Sequence, residues 1–256
     1  MRGVNLDDFD DVDRAVVAIG RDYPPRHLLT FHRHRRAQVL YGASGVMQVD
    51  TDDGSWMVPA HRAVLIPPDT DHQVLFYGVS TRSVYVEPAA APWFGHRCQV
   101  VAVSPLLRQL LLEAVDLPAD YDVHGRAGAL IALLLHEIQS VTPLPFDMPM
   151  PRQDLLRRRC QSFAAAPAIH QTPLHWAAEL TVSVRTLNRM FRAETGLTFQ
   201  QWRERACVLH AIRLLAGGMT VTRVAAELGY DTSSAFSAMF SRHTGSSPNT
   251  FRPRPS

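Results

Sequence analysis

The sequence predicts an α+β chain of more than one domain. A small N-terminal β-barrel of jelly-roll type with flanking helices leads into an all-α domain holding two helix-turn-helix motifs. Three observations carry this. Ala177-Ala178-Glu179-Leu180 returns 48 residues later as Ala225-Ala226-Glu227-Leu228, while Leu187, Met190, Phe191 and Gly196 return 49 residues later as Phe236, Met239, Phe240 and Gly245. A small-residue helix, a turn and an amphipathic helix are thus used twice, the second turn being one residue longer. Between Ala15 and Glu87, short runs rich in Val, Leu, Ile, Phe and Tyr are cut by turn residues, as in a small barrel. Finally, the net charge is split: residues 1–150 carry 12 Arg against 18 Asp+Glu (−6), and residues 151–256 carry 14 Arg against 6 Asp+Glu (+8). A basic half coinciding with repeated helical units points to a polyanion partner.

The 256 residues allow two domains, each with its own core, and 46% hydrophobic with 20% charged residues is an ordinary globular composition. No apolar run reaches a membrane span and the N-terminus lacks a signal peptide's apolar core, so the expected place is the cytoplasm, without a membrane partner. Cys98, Cys160 and Cys207 are odd in number and widely spaced, which is neither a disulfide framework nor a CxxC metal site.

Residues 1–13 are acidic and poor in large apolar groups, the composition of a frayed or disordered end. Strands are expected at Leu28–Phe31, Gln38–Tyr41, Val46–Val49, Val64–Ile66, Val74–Tyr77 and Val84–Val86, with Asp53-Gly54 as a hairpin turn. His32 and His34 share one strand face, because side chains alternate with period two. Gln38 and Gly45 follow, then Pro67 and, five residues later, His72.

This arrangement resembles the cupin family over roughly the first hundred residues. The family's first motif is two His at i and i+2, a Glu four residues on and a Gly seven beyond; its second is a Pro followed five residues later by a His. His32, His34, Gly45, Pro67 and His72 match; Gln38 stands where the family has Glu, and Asp69 where it often has Gly. The resemblance implies a pocket at His32, His34, Gln38 and His72 for a divalent metal (Zn, Ni or Fe) or for a small-molecule effector. An amide in place of the carboxylate removes a negative charge and weakens a metal site. His61 is expected on a turn.

Helices are expected at 104–117, with the stripe Leu106, Leu107, Leu110 and Leu111, and at 126–141, with Leu130, Ile131, Leu134, Leu135 and Ile138. Residues 101–141 form the expected dimerisation segment of a homodimer, after a sensor domain at 1–100. Pro143, Pro145, Pro149 and Pro151 mark 142–152 as an extended linker. The DNA-binding domain then occupies 153–256, with helix-turn-helix units at about 173–195 and 221–244.

A first helix spans about 153–165. Thr172-Pro173 starts the next, and Ser183 caps a helix that buries Val184, Leu187, Met190 and Phe191 and turns out Arg185, Asn188, Arg189 and Arg192. Gly196 ends it, and Thr198-x-x-Gln201 opens a long helix to about Leu215 as a capping box. In the second unit the outward positions are Ser233, Ser234 and Ser237.

These motifs resemble the AraC/XylS family of bacterial transcription regulators over residues 153–252. They are Ser183-x-x-x-Leu187-x-Arg189-x-Phe191-x-x-x-x-Gly196, Val224-Ala225-x-x-Leu228-Gly229-Tyr230, Phe236-x-x-x-Phe240-x-x-x-x-Gly245 and Ser247-Pro248. The resemblance implies two recognition helices about 34 Å apart in successive major grooves, carried by Arg185, Asn188, Arg189 and Arg192 in the first unit and by Ser233, Ser234 and Ser237 in the second. The outward Arg frequent in the family is Ala238 here, so the second unit is expected to position more than read. Arg203, Gly229-Tyr230-Asp231, Arg33–Arg36 and the Trp56–Pro67 stretch point to the cupin-bearing branch that controls neighbouring transporter genes. The expected function is a non-enzymatic regulator that binds double-stranded DNA under control of a small molecule or metal. The alternative is a metal-dependent cupin enzyme with a DNA-binding appendage, against which Gln38 stands.

Overall fold

β-branched and aromatic residues at alternating positions commit the first half of the chain to strands. In the computed structural model, which describes residues 12–252, these are β1 (Val16–His32), β2 (Ala37–Gly42), β3 (Val46–Thr51), β4 (Gly54–Pro59), β5 (Arg62–Ile66), β6 (His72–Val86), β7 (Gln99–Ala102) and β8 (Pro143–Leu144). They form a nearly closed, barrel-like sheet in the order β8-β7-β5-β2-β6-β3-β4, with β1 also on β6; the resolved registers are antiparallel. The chain divides into two units, residues 1–52 with 56–144 and residues 53–55 with 145–256. Residues 1–11, most of the acidic end expected to be frayed, lie outside the described residues.

β1 and β6 are longer than the residue pattern predicts. The runs Val74–Tyr77 and Val84–Val86 are two ends of one strand, and Leu28–Phe31 is the last part of a 17-residue strand. β1 carries a bulge: Arg26, at φ +66°, is an extra residue between the pairs Pro25↔Tyr77 and His27↔Phe76. Across from it Gly78 of β6 takes φ +67°, and the facing of the β6 side chains reverses there. Val74 and Phe76 before Gly78 and Thr81, Ser83 and Tyr85 after it therefore line the same cavity. Gly45, in the turn between β2 and β3, makes the Gly78 conformation possible: its φ is +70°, and a Cβ there would lie 2.1 Å from the Gly78 carbonyl oxygen.

The opposite face of the sheet is covered by α1 (Pro105–Ala114) and α2 (Arg126–Gln139). Leu107, Leu111, Ile131, Leu134 and Ile138 pack with Val39, Tyr41, Val84 and Val86 in one core. The expected helix stripes are thus mostly internal, although Leu106 is exposed. One strand such as β2 consequently serves two layers: Val39 and Tyr41 face the helices, whereas Gln38 and Leu40 face the cavity.

In the second unit, Asp147–Pro149 (β9) precedes α3 (Asp154–Ala165), α4 (Pro173–Glu179), α5 (Val184–Thr195), α6 (Phe199–Ala216), α7 (Val221–Glu227) and α8 (Ser233–Thr244), and a 3-10 turn at Pro248–Phe251. The turn from α4 to α5 spans four residues and that from α7 to α8 five, the one-residue difference the repeat predicts. The residue that bends each turn is left-handed, Thr181 at φ +56° and Gly229 at +79°. Hydroxyls of Thr172, Ser183, Thr198, Thr220 and Thr232 accept the N–H of the third residue of α4, α5, α6, α7 and α8, Thr198 within the expected capping box. The cap of α8 is Thr232. Phe163, Trp176, Phe191, Phe199 and Trp202 form one aromatic cluster around the first unit. Trp202 also donates its indole N–H to the Pro149 carbonyl at 2.9 Å, and Arg205 pairs with Asp147 at 2.6 Å.

Gly45→Ala and Gly196→Ala both place a side chain at positive φ, but Gly196 has open space around it. Gly196→Ala should cost about 1–2 kcal/mol, the left-handed penalty alone, and Gly45→Ala distinctly more, measured as urea midpoints of the full chain.

Candidate functional site

Two constellations meet the sequence expectations. The first is a narrow, partly open cavity inside the barrel-like sheet, with about 20 Å³ of space for the centre of a water-sized molecule. β1 contributes Ile19, Arg21 and Tyr23 at alternate positions, β2 contributes Gln38, and β6 contributes His72, Phe76 and Tyr85. Tyr23 and Phe76 stack with centroids 3.9 Å apart, forming an aromatic wall.

The three histidines come together, with ring centroids of 4.3 Å for His32 and His72, 5.1 Å for His34 and His72, and 6.2 Å for His32 and His34. In each, Nδ1 faces a backbone carbonyl: Thr30 at 2.8 Å for His32, Arg36 at 2.6 Å for His34 and Thr70 at 2.8 Å for His72. A carbonyl only accepts, so in His32 and His72 Nδ1 carries the proton and Nε2 presents a lone pair. His72 is fully buried and its Nε2 has no partner. Burial, reinforced by the neighbouring His32 and His34, pushes its pKa down to about 4, so the ring is neutral at pH 7.

Gln38 explains itself against this background. Its side chain lies 3.1 Å from His34 Nε2, 3.0 Å from the Tyr85 hydroxyl and 3.3 Å from Ser83 Oγ. Its amide nitrogen donates to the Ser83 and Tyr85 hydroxyls, and its carbonyl oxygen faces His34 Nε2. Among the described residues, no three His, Cys, Asp or Glu side chains stand so as to hold a metal ion. Asp69 occupies the position where glycine is frequent because its φ is +54°, a conformation open to Asp at small cost. His61 lies exposed in a turn at φ +63°. Arg35 and Arg36 both bind Glu87, whose pKa is lowered by the hydrogen bond from Arg35; these are ion pairs of the fold.

Arg21, Tyr23 and Tyr85 escaped the residue pattern. Pro24-Pro25 masks the first half of β1 as a strand, although Ile19-x-Arg21-x-Tyr23 carries the two-residue period that would have shown Arg21 on an inner face.

The second constellation is on α5. Leu187 and Phe191 are buried, and Arg185, Arg189 and Arg192 are exposed, with no ion pair among the described residues. Asn188 is placed differently from the other three. It is half-buried, donates to the Val184 carbonyl at 3.1 Å, and accepts the Phe199 N–H at 3.3 Å. Both ends of its amide are therefore engaged at the junction of α5 and α6. On α8, Ser234 and Ala238 are exposed, Ser233 and Ser237 are half-buried, and Arg242 is exposed near the C-terminal end. Arg203, half-buried on α6, donates to the Gln171 carbonyl at 2.8 Å and serves the fold.

Residues 14–148 match the AraC-like ligand binding domain and residues 176–254 the helix-turn-helix domain. The chain is 29% identical over 221 residues to the HTH-type transcriptional regulator NimR of Escherichia coli, covering 86% of this chain and 81% of that one. It is 39% identical over 103 residues to the HTH-type transcriptional regulator RipA of Corynebacterium diphtheriae, covering 40% of this chain and 30% of that one. Among solved structures, ToxT of Vibrio cholerae aligns at 11% identity over 93% of this chain and 97% of that one, with a TM-score of 0.39.

Asn188→Ala removes two intramolecular hydrogen bonds and leaves the Phe199 N–H unpaired. The expected cost is about 1–2 kcal/mol of stability, read as a lowered thermal midpoint, with base preference in a selection on random DNA unchanged.

Proposed function

The chain belongs to the AraC family of transcription regulators, and from that premise we propose that its cavity binds a small-molecule effector which governs how α5 holds operator DNA beside a neighbouring transporter or metabolic gene. The observation that carries the DNA half of this reading is the exposed arginine stripe of α5. Three guanidiniums without acidic partners, on a helix whose other face is locked into an aromatic core, present fork-shaped donors to guanine O6/N7 and to phosphates. Arg185 and Arg189 are assigned to base edges and Arg192 to phosphate. On α8 the short Ser233, Ser234 and Ser237 position the second unit rather than read sequence. An effector changes operator affinity only insofar as it binds one arrangement of the chain better than another.

A homodimer fits the same reading. Leu106 and Leu133, on α1 and α2, are 47% and 43% exposed, and a second copy would cover them. A regulator is favoured over a cupin enzyme because no carboxylate lines the cavity to act as base or acid. Within the regulator reading, a metal effector has one supporting observation, the buried and unpartnered Nε2 of His72, and against it stands the lack, among the described residues, of three ligating side chains placed to hold an ion. His32, His34, Gln38 and His72 would hold the ion, which would act there as a charge that draws the imidazoles together.

Arg185→Ala or Arg189→Ala should each weaken operator binding by about 1–3 kcal/mol and relax preference at one base pair. Arg192→Ala should weaken binding to all sequences alike and flatten the salt dependence. Mobility shifts across a salt series check both; unaltered affinity and preference in all three variants would remove α5 from the interface. For the metal reading, added Zn²⁺ or Ni²⁺ should change operator affinity in the native chain and not in His72→Ala, and isothermal titration of the metal alone should show the same difference.

A further inference from the structure

Resting on α5 as the helix that reads sequence, we infer that the second helix-turn-helix unit grips the phosphate backbone through Arg242 and Arg223 and specifies no base pair. The internal repeat carries this. Shifting α5 by 49 residues onto α8 sets Arg185 on Ser234, Arg189 on Ala238 and Arg192 on Ser241. Each arginine of the α5 stripe is thus exchanged for a short side chain. The cation returns one turn beyond Ala238, as Arg242, where α5 has Ala193.

Arg242 lies on the face that the first unit uses. At about 100° per residue, positions 234, 238 and 242 fall within a quarter of the α8 circumference, and all three are exposed. The guanidinium stands near the Tyr230 phenol, where its charge opposes the burial that raises the phenol's pKa. No salt bridge engages it among the described residues, whereas the neighbouring His243 is taken up by Glu204 at 3.3 Å. At the other end of α8 the exposed acid Asp231 precedes the helix, so attraction for a polyanion is concentrated in the last turn.

Distance along the helix sets the role of this cation. The eight residues from Ser234 to Arg242 advance about 12 Å, about the width of a major groove. A helix whose first turn faces the base edges therefore carries Arg242 to the groove wall, where the available groups are phosphates. Arg223 supplies the second contact. It is exposed on α7, and the first helix of such a unit crosses the backbone instead of entering the groove. Contacts of this kind are indifferent to sequence and strongly dependent on salt.

The test uses the full chain and a duplex of about three helical turns, enriched from a random pool by the native chain, beside a scrambled duplex of the same composition. Binding is followed by anisotropy across a salt series. Arg242→Ala and Arg223→Ala should each weaken both duplexes alike, about threefold to tenfold near physiological salt, and lower the slope of log affinity against log salt by about one. Arg242→Lys should keep most of the affinity, because a point charge suffices for a phosphate. Ala238→Arg, which restores the α5 pattern, should add a preferred base pair about one helical turn from the pair that Arg185→Ala relaxes. A base preference lost in Arg242→Ala would make α8 a reader and overturn the inference. If Arg242→Ala and Arg223→Ala alter neither affinity nor salt slope while Arg185→Ala still relaxes preference, the grip falls and α5 stands. If none of the three variants changes binding, the reading of α5 falls with it.

Discussion

The close approach of Gly45 to the Gly78 carbonyl is the constraint on which the first unit depends. The left-handed backbone at Gly78 lets β6 change the facing of its side chains midway, and only a residue without Cβ can sit opposite it. Without that reversal, Val84 and Val86 could not lie against the helices while Phe76 and Tyr85 line one cavity. The glycine of the family motif is thus a packing requirement. The aspartate at position 69 also takes a positive φ, +54°, a conformation that aspartate adopts at small cost.

The second unit is held by a different economy. Five hydroxyl caps satisfy helix starts one by one, and α6 buries Phe199, Trp202, Val208, Ile212 and Leu215 between the two repeated units. Asn188 joins the levels, because its amide bridges the end of one turn of α5 to the first N–H of α6. The position of the arginines next to it is therefore tied to the long helix that also carries the second unit.

Charge is distributed to match. The cavity is lined by Arg21 and by the buried, neutral His72, whose Nε2 has no partner. On α5, three more guanidiniums face outward. Elsewhere the same residue type serves the fold, as Arg36 with Glu87 and Arg203 with the Gln171 carbonyl show.

By itself the sequence determined the two-unit plan, the doubled helical motif with its one-residue offset, the capping residues and the arginine stripe. These depend on local periodicity and on hydrogen bonds a few residues apart, which spacing encodes directly. The His32, His34 and His72 grouping was also legible, since a two-residue strand period and a fixed proline-to-histidine spacing survive without coordinates. Tertiary structure alone decided that β6 is one strand, that Arg21 faces the cavity and that Asn188 is occupied within its own domain. Each depends on a partner distant in the chain or on another element: the Gly78 carbonyl against Gly45, Thr81 against Arg21, the Phe199 N–H against Asn188. The periodicity of one segment carries no record of what lies across from it, and there the geometry of the folded chain has the final say.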